Sequence, residues 1–102
     1  MRTSTILSLA RDLISDEARW HKGGLYERGA KSLYHAKCVC AVGAIEKVTQ
    51  KFGVNARLAL DTLELAVPNC GIANYNDAPE TTHNDILLAF DAAIGVARAE
   101  GK

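Results

Sequence analysis

The chain lacks a net charge, since its 102 residues include 12 Lys and Arg against 12 Asp and Glu. This balance argues against a strong whole-molecule attraction to nucleic acid or to an anionic membrane. A long apolar run is missing as well, so we expect no secretory leader, no membrane-spanning segment and no membrane partner. Internal repeats and low-complexity stretches are also absent. The composition therefore predicts a soluble cytoplasmic protein, and the length predicts one domain over residues 1–102.

Cysteine is scarce and lacks the spacing of a metal site. An odd number of cysteines (Cys38, Cys40 and Cys70) without a leader indicates reduced thiols rather than disulfides. No Cys-x-x-Cys pair is present, and on a helix Cys38 and Cys40 would point about 200° apart. A mixed site of Cys38 and Cys70 with His35 and His83 is the metal alternative. Ordinary small core residues explain the cysteines better, so we predict no metal and no cofactor.

Apolar periodicity predicts an all-α fold, a small bundle of about four helices. Asn55 and Thr82 are suitable N-caps, whereas Gly53 and Pro68 end the helices that precede them. The small residues at 40–44 permit a close neighbour, either within the chain or across the axis of a homodimer. The expected helices cover about residues 4–18, 36–52, 56–67 and 82–97, with one further helical turn at 70–76.

Residues 19–35 interrupt this helical pattern with three glycines and no clear periodicity. They are expected to form an irregular excursion, with a short β-hairpin or a single helical turn as alternatives. From residue 19 to 37, basic and aromatic side chains alternate and Glu27 is the only acid. Such a segment can bind phosphates and stack on bases, which makes nucleic-acid binding an alternative function. A solvated loop whose rings anchor it to the core is the favoured explanation.

A polar stretch, residues 74–85, lies between two apolar helical patterns, where functional side chains are often found. Its centre has a structural explanation, because Asp77 can form an Asx-turn and Pro79 presets the backbone. In the functional interpretation, Asn76 and Asp77 present an amide and a carboxylate to a polar ligand.

Three short motifs follow one another along the chain. They are Trp-x-x-Gly at 20–23, Cys-Ala-x-Gly-Ala at 40–44 and Asn-Asp-x-Pro at 76–79. In this order they resemble a family of short bacterial and phage proteins classed only as a domain of unknown function. The resemblance covers most of the chain and implies a bacterial or phage source, with the host cytoplasm as location if a phage encodes the protein. It implies no catalytic roles, but it singles out residues within the motifs.

We therefore predict a non-catalytic binding or accessory module whose partner is a protein or a small polar ligand. Nucleic acid is an alternative partner that is not favoured. A small enzyme that pairs Asp77 with His83 or His21 as acid and base is a third alternative. No nucleophile, phosphate-binding loop or cofactor motif supports it, and no catalytic residue is assigned. The candidate binding residues are Trp20, His21, Lys22, Tyr26, Asn74, Tyr75, Asn76, Asp77 and His83.

Overall fold

Five α-helices and one 3-10 helix make up the regular structure of the protein, in a computed structural model that describes residues 1–102. No strand forms, so the predicted all-α class is confirmed. None of the helices combines the length and the apolar character that a membrane crossing requires. The helices are α1 (Thr3–Leu13), α2 (Ala41–Phe52), α3 (Arg57–Leu65), α4 (Ile72–Asp77) and α5 (His83–Ala99), and the 3-10 helix is Glu17–Arg19.

The core lies between α1, α2, α3 and α5. α1 packs against both α2 and α5, while α3 packs against α5 and α4 packs against α2. Twenty buried apolar residues form one cluster that runs from Ile6 in α1 to Ala97 in α5. Burying a large apolar side chain contributes roughly 1.5–3 kcal/mol, so this cluster supplies most of the drive to fold. The largest fully buried apolar side chains are Leu7, Ile14, Ile45, Leu63, Ile86 and Phe90.

α1 ends at Leu13, about five residues before the predicted end. The apolar pattern continues to Ile14, which is fully buried, but the backbone leaves the helix there. Asp16 then caps the 3-10 helix, because its carboxylate accepts a hydrogen bond from the Ala18 N–H at 3.0 Å. A local side-chain cap therefore competes successfully with continuation of the helix.

α2 begins at Ala41, five residues later than predicted, because the residues before it are held in an extended conformation. The Val39 N–H donates to the Arg19 carbonyl at 2.9 Å, and the Cys40 N–H donates to the Leu25 carbonyl at 3.0 Å. These bonds to the excursion use the N–H groups that an earlier helix would need. Cys38 consequently lies outside the helix, and Cys40 becomes its N-cap.

The excursion is irregular, as predicted, but the β-hairpin alternative for it is wrong. Trp20 forms an isolated parallel bridge with Val39, and Tyr26 forms an isolated antiparallel bridge with the same residue. The segment therefore wraps around residue 39 instead of pairing with itself.

Several predicted helix ends are confirmed. Gly53 ends α2 with a left-handed φ of 64°, which favours glycine. Thr82 and Asp85 form a reciprocal capping box at the start of α5, with hydrogen bonds of 3.1 and 2.9 Å. The expected turn at 70–76 is present as α4. The prediction of Asn55 as the N-cap of α3 is wrong by one residue: Asn55 accepts a hydrogen bond from the Arg57 N–H at 2.7 Å, but α3 begins at Arg57 and Ala56 is its N-cap.

The small residues of α2 pack within the chain. Ala41, Gly43 and Ala44 are all buried. A Cβ on Gly43 would lie only 2.5 Å from the Leu25 carbonyl oxygen and 3.2 Å from the Val39 Cβ. The excursion therefore approaches the α2 backbone as closely as a glycine allows. This contact explains the small residues within one chain, and the homodimer stays a prediction.

Candidate functional site

The excursion and the polar stretch meet at the side chain of Asn76, which is 0% exposed. Its Oδ1 accepts hydrogen bonds from the Trp20 Nε1–H at 2.7 Å and from the Ala41 N–H at 3.1 Å. Its Nδ2 donates to the His21 carbonyl at 2.9 Å and to the Asp77 Oδ1 at 2.9 Å. These four bonds use the two donors of the amide and both acceptor positions of its oxygen.

Asn76 therefore joins the excursion, the start of α2 and α4 at one buried point. A buried polar side chain with every group satisfied favours a single arrangement of its partners, because any other arrangement would leave polar groups unpaired. The same four bonds leave no group of the amide for a ligand. They favour the structural explanation of this residue over direct contact with a ligand.

Further hydrogen bonds attach residues 22 and 23 to the end of α4. The Asp77 Oδ1 accepts from the Gly23 N–H at 2.9 Å, and the Lys22 ammonium donates to the Ala78 carbonyl at 2.7 Å. The Lys22 nitrogen also lies 5.5 Å from the centroid of the Trp20 ring, within the range of a cation–π contact. Residues 20–23 are thus bound to α4 by side chains and backbone together.

His83 lies on another side of Trp20. The centroids of the two rings are 5.7 Å apart, and the His83 Nε2 forms a 2.6 Å hydrogen bond with the Ile14 carbonyl. A carbonyl can only accept, so Nε2 carries a proton. Asp77 forms no hydrogen bond with His83 or His21; the partners of its Oδ1 are the Gly23 N–H and the Asn76 Nδ2. The hypothetical Asp–His acid–base pair is therefore not formed in this structure.

A concave surface, which we call the polar hollow, lies within the excursion and has a volume of about 510 Å³. Its shape depends on Gly23 and Gly29, whose φ angles of 93° and 98° are strained for residues with a side chain. Asp77 lies beside it through the bond to the Gly23 N–H. The hollow is lined by His21, Lys22, Gly23, Tyr26, Arg28 and Gly29, together with Glu27 and Ala30.

Glu27 attaches the far end of the excursion to the segment before α2. Its carboxylate accepts from the Lys37 N–H at 3.0 Å and from the Cys38 N–H at 3.2 Å. Desolvation raises the pKa of Glu27, but the hydrogen bonds from Lys37 and Cys38 outweigh it and hold the pKa below its usual value. The negative charge of Glu27 is therefore permanent at neutral pH, and it is directed at backbone N–H groups.

The predicted binding residues fall into three groups: those at the hollow, those that lie next to its lining residues, and Asn74 with Tyr75, which lie elsewhere. Those at or beside the polar hollow are His21, Lys22, Tyr26 and Asp77. Trp20, Asn76 and His83 do not line it: Asn76 is bonded to the Trp20 indole and the His21 carbonyl, and the His83 ring lies against that of Trp20.

Asn74 and Tyr75 lie apart from the hollow. The Asn74 amide donates to the Cys70 carbonyl at 2.7 Å, which is a local contact. Tyr75 lines a separate cavity of about 190 Å³ that also includes Ala66 and Leu88. Desolvation, with help from the charge of Asp85, raises the pKa of Tyr75.

The three cysteines have separate surroundings. Cys40 is buried, and burial raises the pKa of its thiol, which disfavours a reactive thiolate. Its Sγ accepts a hydrogen bond from the Gly43 N–H at 3.3 Å and so caps α2. The Cys38 thiol donates to the Ala18 carbonyl at 3.0 Å, and Cys70 is exposed. No group of three or more His, Cys, Asp or Glu side chains is arranged to hold a metal ion.

Arg28 is a residue of the hollow that the sequence prediction did not single out. Its only signal was its place in a basic segment next to Gly29, and that signal does not say which way the side chain turns.

Comparison with known proteins extends the resemblance of the motifs. The model of the "Family of unknown function (DUF6197)" matches residues 1–96. No curated protein and no solved structure gave a match.

Proposed function

Because this chain belongs to a family of unknown function, we propose a function from its own geometry: a non-catalytic module that binds a small polar ligand in the polar hollow. The observation that carries the proposal is the set of four hydrogen bonds around Asn76. They fix the backbone of residues 20 and 21 beside α4. A binding loop that is already ordered loses less conformational entropy when a ligand arrives.

The charges of the hollow favour an anionic group on the ligand. The cations Lys22 and Arg28 line it, and no ion pair of the chain includes either of them. Two acids lie at the hollow, and both are bonded within the chain: Glu27, which lines it, accepts from the Lys37 and Cys38 N–H groups, and Asp77, which lies beside it, accepts from the Gly23 N–H and the Asn76 amide. Arg28 offers the planar, bidentate donor geometry that suits a carboxylate or a phosphate.

The non-catalytic part of the proposal is supported by how the reactive side chains are used. Asp77 holds Gly23 and Asn76, His83 binds the Ile14 carbonyl, and Cys40 caps α2. Each of them already has a structural partner. From the resemblance of the motifs we further propose a bacterial or phage origin and an accessory role in the cytoplasm.

Titration of the 15N-labelled protein with inorganic phosphate and with succinate tests the proposal. We expect saturable shifts of the backbone amides of Gly23, Arg28 and Gly29 at millimolar ligand. Arg28→Gln should weaken binding about tenfold or more, because a charge-assisted hydrogen bond contributes roughly 1.5–3 kcal/mol and each 1.4 kcal/mol is about a factor of ten. Lys31→Gln is the matched control, since Lys31 is exposed and does not line the hollow. Absence of saturable shifts with both anions, or equal binding by the Arg28 variant, would overturn the proposal.

A further inference from the structure

A second concave surface, which we call the basic groove, runs between the end of α1 and the second half of α2. It consists of two adjoining cavities of about 480 and 430 Å³ that share Leu13, Arg19 and Lys47. Each volume falls within the range of small-molecule sites, roughly 300–1,000 Å³. No residue lines both the basic groove and the polar hollow, so the two surfaces are separate.

Positive charge is concentrated in the basic groove. Four cationic side chains line it, and Asp12 is the only acid. No ion pair of the chain includes any of these cations, which leaves an excess of three positive charges (four minus one) on a protein with no net charge. A concave surface with low-dielectric walls focuses such a field on an anionic ligand. The four cations are Arg19, Lys37, Lys47 and Lys51.

Lys47 is held in position at the groove wall. It is half-buried, and its ammonium donates to the Ala36 carbonyl. An ammonium group has three donors, so this bond leaves others for a ligand. Arg19, Lys37 and Lys51 are exposed, and none of their side chains forms an ion pair. The Lys51 ammonium lies 5.7 Å from the centroid of the Phe52 ring, a cation–π contact that an anion can still approach from solvent.

Two aromatic rings lie exposed beside these cations. Tyr34 is 72% exposed and Phe52 is 47% exposed, and both line the second cavity together with the apolar side chains of Leu9, Leu13 and Val48. Rings of this size are usually buried, because burying them contributes strongly to folding. Exposed rings next to unpaired cations are the combination that binds a base and its phosphate.

We infer that the basic groove binds a nucleotide, either free or as part of a single strand. Its phosphate contacts Arg19 and Lys47, and its base stacks on Tyr34 or Phe52. An acidic peptide would satisfy the cations but would leave the two rings without a flat partner. The balanced charge of the whole chain does not oppose this site, because the local field at the groove and not the total charge acts on a ligand within it.

Binding of a fluorescein-labelled ten-residue oligothymidine, followed by anisotropy across a salt series, tests the strand as ligand. Calorimetry with ATP tests the free nucleotide. For the strand we expect affinity that falls with salt with a slope of about −0.7 per phosphate contacted. Tyr34→Ala should weaken binding roughly fivefold or more, as expected for loss of stacking on one base. The double variant Arg19→Gln, Lys51→Gln should weaken it at least as much.

All three changed side chains are exposed, so the folded structure should be retained, which circular dichroism checks. Lys31→Gln is the control, because Lys31 is exposed and lines neither the basic groove nor the polar hollow. Binding of the strand or of ATP that depends on Tyr34 supports the inference and identifies the source of the nucleotide. No binding to either, or equal binding of a poly-glutamate peptide with no effect of Tyr34→Ala, would overturn it.

Discussion

Replacing Gly43 by Ala should destabilise the protein, although alanine favours a helix over glycine by about 1 kcal/mol. Gly43 lies in the first turn of α2, and its backbone is covered by the excursion. A Cβ at this position would lie 2.5 Å from the Leu25 carbonyl oxygen, whereas real Cβ atoms essentially never approach closer than 3.0 Å. The carbonyl must therefore move by about 0.5 Å or more, and a backbone atom moves less easily than the end of a side chain.

The expected magnitude follows from two costs and one gain. Overpacking a buried site costs roughly 1–3 kcal/mol. Moving the Leu25 carbonyl also weakens its bond from the Cys40 N–H, now 3.0 Å long, and such a bond contributes about 1 kcal/mol. The helix gain of about 1 kcal/mol opposes these terms. The free energy of unfolding should therefore fall by roughly 1–3 kcal/mol.

Urea denaturation of Gly43→Ala and Gly95→Ala measures the effect against a matched control. Gly95 lies within α5, and a Cβ there would meet no atom within 4 Å. Gly95→Ala should therefore stabilise the protein by roughly 0.5–1 kcal/mol. If both variants were stabilised to the same extent, the close approach of Leu25 to α2 would be refuted. Opposite signs would support it.

Two other predictions concern the candidate site and the start of α2. Asn76→Ala should lower the free energy of unfolding, measured by urea denaturation, by about 3–5 kcal/mol, because it leaves buried partners unpaired. The control Asn74→Ala removes an exposed side chain and should lower it by less than about 1 kcal/mol. Similar losses for both variants would contradict the buried network. Burial raises the pKa of the Cys40 thiol above its ordinary value, so the unfolded chain loses this proton at a lower pH than the folded chain. Stability that is present below the unfolded pKa is therefore lost as pH rises towards and through the folded pKa. Cys40→Ser keeps a capping oxygen and should reduce this alkaline loss in denaturation measured from pH 8 to 10.5, with the contribution of Tyr75 remaining; an unchanged pH profile would exclude Cys40 as its source.

The parts of the fold that sequence could predict are those set by neighbours along the chain. α5 has a long apolar stripe, and its capping box uses two residues three apart. Gly53 ends α2 through its own φ preference. In each case the residues that determine the structure lie within a few positions of one another, so the local sequence pattern is sufficient to predict it.

The start of α2 could not be predicted in the same way. The bonds that hold Val39 and Cys40 extended come from the Arg19 and Leu25 carbonyls, which lie 15 to 20 residues earlier. Residues 36–40 themselves have a composition that a helix accepts. Residues 36–40 stay out of the helix only because the excursion packs against them and accepts their N–H hydrogen bonds.

Sequence predicted some members of the candidate site but not their roles: it missed Arg28, and it included Asn74 and Tyr75, which lie apart from the hollow. Composition and motifs singled out both Trp20 and Asn76, which are 56 positions apart. An amide in a polar stretch is usually exposed, and nothing local indicates that a distant indole and two backbone groups will satisfy it. The basic groove was not predicted, because its cations come from α2 as well as from residues 19 and 37. Counting the charges of one segment does not show that cations from two segments lie together.

The position of Trp20 links the two proposed surfaces. The residue before it, Arg19, lines the basic groove, and the residue after it, His21, lines the polar hollow. Asn76 binds the Trp20 indole and the His21 carbonyl, and therefore fixes the backbone at the junction between the two surfaces. Asn76 lines neither proposed surface, yet it fixes the backbone that the two surfaces share. We therefore expect a change at Asn76 to alter binding at both proposed surfaces, although the amide has no free hydrogen-bonding group.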